Sequence, residues 1–207
     1  MSLETWLAFV AASAVLLVIP GPTILLVVSY ALGQGWRTAA PTAAGVALGD
    51  LTAMTLSMLG VGALLAASAT LFTILKWVGA AYLVWLGIKL FRAGGSFTAE
   101  PRREESRPGT MLAHAWLVTA LNPKSLTFFI AFLPQFIDHS APFLPQMLIF
   151  EASFVTLAFL NAFGYAAVAS RARGAIANRR VIRAVNRVGG SLLIAAGAAS
   201  AAARTSP

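Results

Sequence analysis

Asp50, Lys124 and Glu151 are charged residues set within long apolar runs of the chain. A charge at membrane depth is costly and ordinarily faces a cavity or a partner, so each is a candidate for chemistry. A buried carboxylate can hold an ammonium group or a proton, and a buried ammonium can hold a carboxylate. Together they suit a zwitterion whose two charges lie a few ångströms apart.

The residues around Lys124 strengthen that reading. In Leu121-Asn122-Pro123-Lys124-Ser125 the asparagine can cap a new half-helix and the proline is tolerated at its first position. The N–H groups of Lys124, Ser125 and Leu126 then face the positive end of a helix dipole, where an anion is stabilised. A second break, Pro20-Gly21-Pro22, interrupts the uncharged run from Thr5 to Trp36, because proline removes a helical hydrogen bond and clashes with the preceding turn. Paired interrupted helices point to a transporter's binding site.

Each residue also has a plainer reading. Asp50 and Lys124 can form an internal ion pair that holds two helices together, and Lys124 can cap a carbonyl. Glu151 lies near the start of its apolar run, from which its side chain can reach water. The Gly45-x-x-x-Gly49 spacing, like Gly79 with Gly87, fits close helix packing. His114 is more readily structural than a proton relay, and with His139 it is too isolated to form a metal cluster. Trp6, Trp36, Trp77 and Trp85 read as interfacial or packing aromatics.

The elements that position these residues follow from composition. With 58% hydrophobic residues, 11% charged residues and a mean hydropathy of +0.80 over 207 residues, the chain is an all-α polytopic membrane protein. The net charge of +8 comes from arginines in two short segments between apolar runs, which orient a membrane protein and form no nucleic-acid face. The absence of cysteine excludes disulfides and thiol-metal sites, and no residue pattern calls for a cofactor. The first apolar run carries Glu4 and no basic residue ahead of it, unlike a cleaved signal. Gly60-Val61-Gly62 lacks the context of a nucleotide fingerprint, and no phosphate-binding loop is present.

A spanning helix needs about 20 apolar residues. Six such runs can be counted: Leu3 to Leu32, Thr38 to Ala66, Leu71 to Phe91, Met111 to Ile137, Phe143 to Ser170 and Ile182 to Ala203. The first and fourth are the interrupted ones. The chain is one transmembrane domain, 1–207, with a first repeat of about 1–91, a polar linker 92–109 and a second repeat of about 110–204. A shift of 101 residues carries Pro22 onto Pro123, Gln34 onto Gln135, Pro41 onto Pro142, Thr55 onto Thr156 and Asp50 onto Glu151. Three helices per half make the second copy insert upside down, which predicts two inverted repeats. Positive residues gather in the odd connections, at Arg37, at Arg92, Arg102, Arg103 and Arg107, and from Arg171 to Arg187. Odd connections are therefore expected in the cytoplasm and both termini outside it.

The chain resembles the LysE/RhtB family of bacterial amino-acid exporters over nearly its whole length. The resemblance rests on Pro20-Gly21-Pro22, Gly33-Gln34-Gly35, Gly45 with Gly49-Asp50, Lys76 to Leu83 with Trp85-Leu86-Gly87, Asn122-Pro123-Lys124 and Phe132 to Phe136. Thr23 stands where many members carry asparagine, and Glu151 is an acid not expected at its position. The resemblance implies a six-helix inner-membrane exporter of amino acids or derivatives, of the homoserine, threonine or homoserine-lactone type, driven by protons.

Combining both readings, the substrate-binding candidates are Pro20, Gly21, Pro22, Thr23, Asp50, Asn122, Pro123, Lys124 and Ser125, with Asp50 and Glu151 for ion coupling. The partners are a small amino-acid substrate, protons and the lipid bilayer; a homo-oligomer is allowed but not specified. A cation efflux protein or channel using the intramembrane carboxylates is the rival reading, and a buried lysine suits it poorly. An enzyme would need a nucleophile with its base, or a metal cluster, and neither pattern is present.

Overall fold

The computed structural model describes residues 1–67, 106–138 and 140–171, with single positions between 74 and 92 and between 187 and 198. Most of the expected third and sixth spans, most of the linker and His139 lie outside the described residues. Every element among those residues is helical.

Helix α1, Leu3–Val18, starts at Ser2, whose hydroxyl accepts from the Thr5 N–H at 3.1 Å. It stops at Pro20-Gly21-Pro22, and α2, Pro22–Gln34, resumes at an angle of 54°. Gly35 ends α2 with φ 78° and ψ −158°, a backbone open essentially to glycine alone. One tight turn, Trp36–Thr38, leads into α3, Ala39–Ala67. Helix α4, Pro108–Ala120, and α5, Pro123–Thr127, repeat the broken arrangement with a bend of 42° when α5 is followed to Phe136. Beyond Thr127 the helix widens into a π turn, Phe128–Phe132, and then tightens at Leu133–Phe136. Helix α6 is Phe143–Arg171.

Two of these helices are long and apolar enough to cross a membrane, and each bent pair adds a further candidate span. Contacts at the extremities set their directions. Gln34 Oε1, at the end of α2, accepts from the Ser106 N–H at 3.0 Å, just before α4. At the opposite end the amino terminus pairs with Asp138 at 3.8 Å. The two bent pairs are therefore antiparallel, and so are α3 and α6. Arg37, Arg107 and Arg171 share the first end; Glu4 and Asp138 share the second.

Close packing holds α3 against α4. A Cβ on Gly45 would lie 2.3 Å from the Leu112 carbonyl oxygen, and one on Gly49 would lie 2.6 Å from Thr119 Cβ. Glycine is needed here for the approach of two backbones. On α6 the buried ladder Phe150, Phe154, Ala158, Ala162 and Ala166, spaced by four, forms a single stripe. Its phenylalanines meet Phe9 of α1 and Phe128 of the π turn, with Phe9 and Phe150 centroids 4.6 Å apart. Aromatic packing thus fixes the half of the molecule towards Asp138, and the breaks lie between it and the arginine-bearing end.

Candidate functional site

The first break leaves carbonyls without helical donors. Pro20 and Pro22 have no N–H to offer the carbonyls of Leu16 and Val18, and an unsatisfied carbonyl in an apolar interior costs several kcal/mol. Side chains from the second half of the chain supply the donors. Lys124 Nζ donates to Leu16 O at 3.0 Å and Ile19 O at 2.8 Å, Asn161 Nδ2 donates to Leu17 O at 3.0 Å, and the Tyr165 hydroxyl donates to Val18 O at 2.6 Å. All four terminal carbonyls, 16 to 19, are covered.

The second break closes mainly on itself. Asn122 caps α5, its Oδ1 accepting from the Lys124 N–H at 3.1 Å, while its carbonyl accepts from the Leu126 N–H at 3.0 Å. Of the three backbone donors expected at this helix start, the Ser125 N–H is the one left over among the described residues. Asn122 also ties the two breaks together, since its Nδ2 donates to Thr23 Oγ1 at 3.0 Å. Thr119 Oγ1 donates to the same hydroxyl at 3.3 Å.

Asp50 approaches this junction from α3, one residue beyond the Gly49 contact. Its side chain is 2% exposed, close enough to Ser125 and Lys124 for both to act on its charge. Oδ1 nonetheless has no hydrogen-bond partner. Asp50 and Lys124 do not form a direct ion pair; the ion pair among the described residues is the one at the amino terminus. Lys124, 7% exposed, spends two of its three N–H groups on α1 and keeps one.

The remaining candidates divide. Gly21 is extended, at φ −112°, and its α-carbon faces Lys124, since a Cβ there would lie 3.5 Å from Nζ. Pro20 is half-buried, whereas Pro22 and Pro123 are exposed and act on the backbone. Glu151 is buried, but its neighbour is the Thr55 hydroxyl. Thr55 lies five residues past Asp50 on α3, about 7.5 Å along the axis and turned about 140° around it, so the two acids occupy separate places. His114 Nδ1 meets the Tyr30 hydroxyl at 3.1 Å, away from the junction.

Asn161 and Tyr165 were not among the sequence candidates. A signal existed, because an asparagine and a tyrosine four residues apart share one face of an apolar helix. Their partners are backbone carbonyls, which leave no mark in a sequence.

Known proteins place this arrangement. The chain is 35% identical over 204 residues to the homoserine/homoserine lactone efflux protein of Salmonella typhi, covering 99% of each chain. It is 34% identical to an uncharacterized membrane protein of Vibrio cholerae, with 99% of this chain and 100% of that one covered. A leucine efflux protein of an Enterobacter species is 36% identical over 149 residues, 67% of this chain and 66% of its own. No solved structure matches. The family model for LysE type translocators matches residues 14–203, and the chain accordingly belongs to that family of membrane transport proteins, which are not enzymes.

Proposed function

We propose that this protein exports amino acids or their derivatives, of the homoserine, threonine or homoserine-lactone type, across the bacterial inner membrane by proton antiport. The observation that carries the proposal is the buried, unpartnered Oδ1 of Asp50, on a side chain that feels the Lys124 charge, at the junction of two helix breaks. Asp50 receives the substrate ammonium. The third N–H of Lys124 and the Ser125 N–H receive its carboxylate, with Thr23 and Asn122 fixing the frame around them. Pro20, Gly21, Pro22 and Pro123 keep the two helix ends open.

Relatives are named for efflux of homoserine, homoserine lactone and leucine. Those molecules share an α-ammonium group, whereas the lactone has no free carboxylate. This makes Asp50 the constant contact and Lys124 the adaptable one. Exchange of a proton for the ammonium on Asp50 couples the two fluxes, and Glu151 with Thr55 is a second carboxyl on the proton's route. Antiparallel bent pairs support two inverted repeats, whose rocking would alternate access. A cation channel gains nothing from a buried lysine.

The test is uptake of labelled homoserine, threonine, homoserine lactone and leucine into inside-out vesicles, with and without a proton gradient. Gradient-driven uptake of at least one is expected, abolished by Asp50→Asn. Uptake of all four that ignores Asp50 would refute the site.

A further inference from the structure

The end of α1 has the make-up of a cation site. Four successive carbonyls, 16 to 19, point out of a helix C-terminus, which carries partial negative charge, and half-helix C-termini of this kind coordinate coupling cations in other transporters. Here the position between Leu16 O and Ile19 O is filled by Lys124 Nζ, buried and held at 3.0 Å and 2.8 Å. An ammonium is close in size to a potassium ion and makes the same demand on carbonyl oxygens.

We infer that Lys124 is a tethered cation: its ammonium occupies a monovalent-cation site at the broken end of α1, so the protein works without free sodium or potassium. Asn161 and Tyr165 complete the site by covering the two carbonyls between those that Lys124 takes. They are positioning residues for α1: their hydrogen bonds go to its carbonyls. The tether has a consequence for transport. A free ion leaves at each cycle, whereas an ammonium on a side chain stays, so α1 is held to α5 through a charge that cannot dissociate. The inference deepens the proposed site without requiring its substrate, because it concerns only the two N–H groups that face α1.

Removing the side chain should leave a vacant cation site. Purified wild-type protein and Lys124→Ala are melted in detergent with potassium, sodium, methylammonium or choline chloride at one ionic strength. Wild type is expected to melt at one temperature in all four salts. Lys124→Ala should melt lower in choline, and potassium or methylammonium should recover a substantial part of the loss. Tyr165→Phe and Asn161→Ala should each melt lower than wild type but gain nothing from these ions, since the ammonium still fills the site.

Equal melting of Lys124→Ala in all four salts would overturn the tethered cation. If that variant cannot be purified, wild-type export in vesicles free of sodium and potassium decides: an unchanged rate supports the inference, and a tenfold loss overturns it. Homoserine, threonine, homoserine lactone and leucine are added in parallel series. A cation response without a response to any of the four would refute the substrate site and leave this inference standing; the converse would do the opposite.

Discussion

Lys124 Nζ lies 2.8 Å from the carbonyl oxygen of Ile19, so the side chain at one helix break closes the helix end at the other, 105 residues away. The breaks are thus mutually dependent. Pro20 and Pro22 create carbonyls that only a distant donor can satisfy, and the lysine creates a buried charge that only such carbonyls or an acid can satisfy. Any rearrangement that separates the halves at this point must exchange those bonds for others.

Replacing Pro20, Gly21 and Pro22 together with alanine tests that dependence. A continuous helix would give the carbonyls of Leu16 and Val18 their own N–H donors and deprive Lys124 of its acceptors. Insertion and expression should be normal, and export in vesicles should fall at least about tenfold, the loss of one charged hydrogen bond. Export at the wild-type rate would separate the first break from the site.

What the sequence revealed here was whatever a side-chain type can signal. Proline has no N–H, so the break after Val18 and the restart at Pro123 were legible, and the expected runs 38–66 and 143–170 match α3 and α6 to within a residue or so. The Gly45 and Gly49 packing was legible because only a missing side chain permits the contact. Lys124 was legible as an oddity, but its partners were not, since Leu16 and Ile19 contribute only backbone oxygens. Nor did any residue type announce the π turn at Phe128–Phe132, where a run of phenylalanines packs against Phe9 and Phe154.

Gly45→Val and Gly49→Val should each force α3 away from α4. At Gly45 even the first side-chain carbon would meet backbone at 2.3 Å, which a rotamer change cannot relieve. Overpacking of this kind costs about 1–3 kcal/mol, and at Gly49 the displacement also moves the adjacent Asp50 relative to Lys124 and Ser125. Melting in detergent should fall for both variants, and export should fall further for Gly49→Val. Equal export by the two would show that Asp50 tolerates the shift.

Gly35→Ala should cost about 1–3 kcal/mol through backbone strain alone, because φ 78° with ψ −158° is closed to residues with a Cβ. The turn joins α2 to α3, so the loss should appear as a lower melting temperature with substrate affinity unchanged. A weakened affinity at unchanged melting would place Gly35 in the site instead.

Orientation is checked by reporters. Arg37, Arg107 and Arg171 lie at one end of the helices and Asp138 with the amino terminus at the other, and the positive-inside rule predicts the arginine end in the cytoplasm. A periplasmic reporter fused after Arg204 should be active, and one inserted near Glu104 should not. The reverse pattern would invert the protein in the membrane without altering the helix directions relative to one another.

Asp50 and Lys124 are separated by a double-variant experiment. If they served only to neutralise each other, removing either would leave one unpaired charge at membrane depth, and removing both would relieve it. The geometry argues against that outcome. Lys124 directs two N–H groups to Leu16 and Ile19, the two residues make no direct ion pair, and Asp50 keeps a buried oxygen without a partner. Under the proposed function each residue has its own task, one holding α1 and meeting a carboxylate, the other meeting an ammonium or a proton. Asp50→Asn and Lys124→Met should each weaken apparent affinity about ten- to a hundredfold, the equivalent of about 1.5–3 kcal/mol for a hydrogen bond to a charged group. The double variant should be no better than the worse single one when export is compared at matched protein levels. Recovery in the double variant would reduce the pair to scaffold and remove the two-ended site.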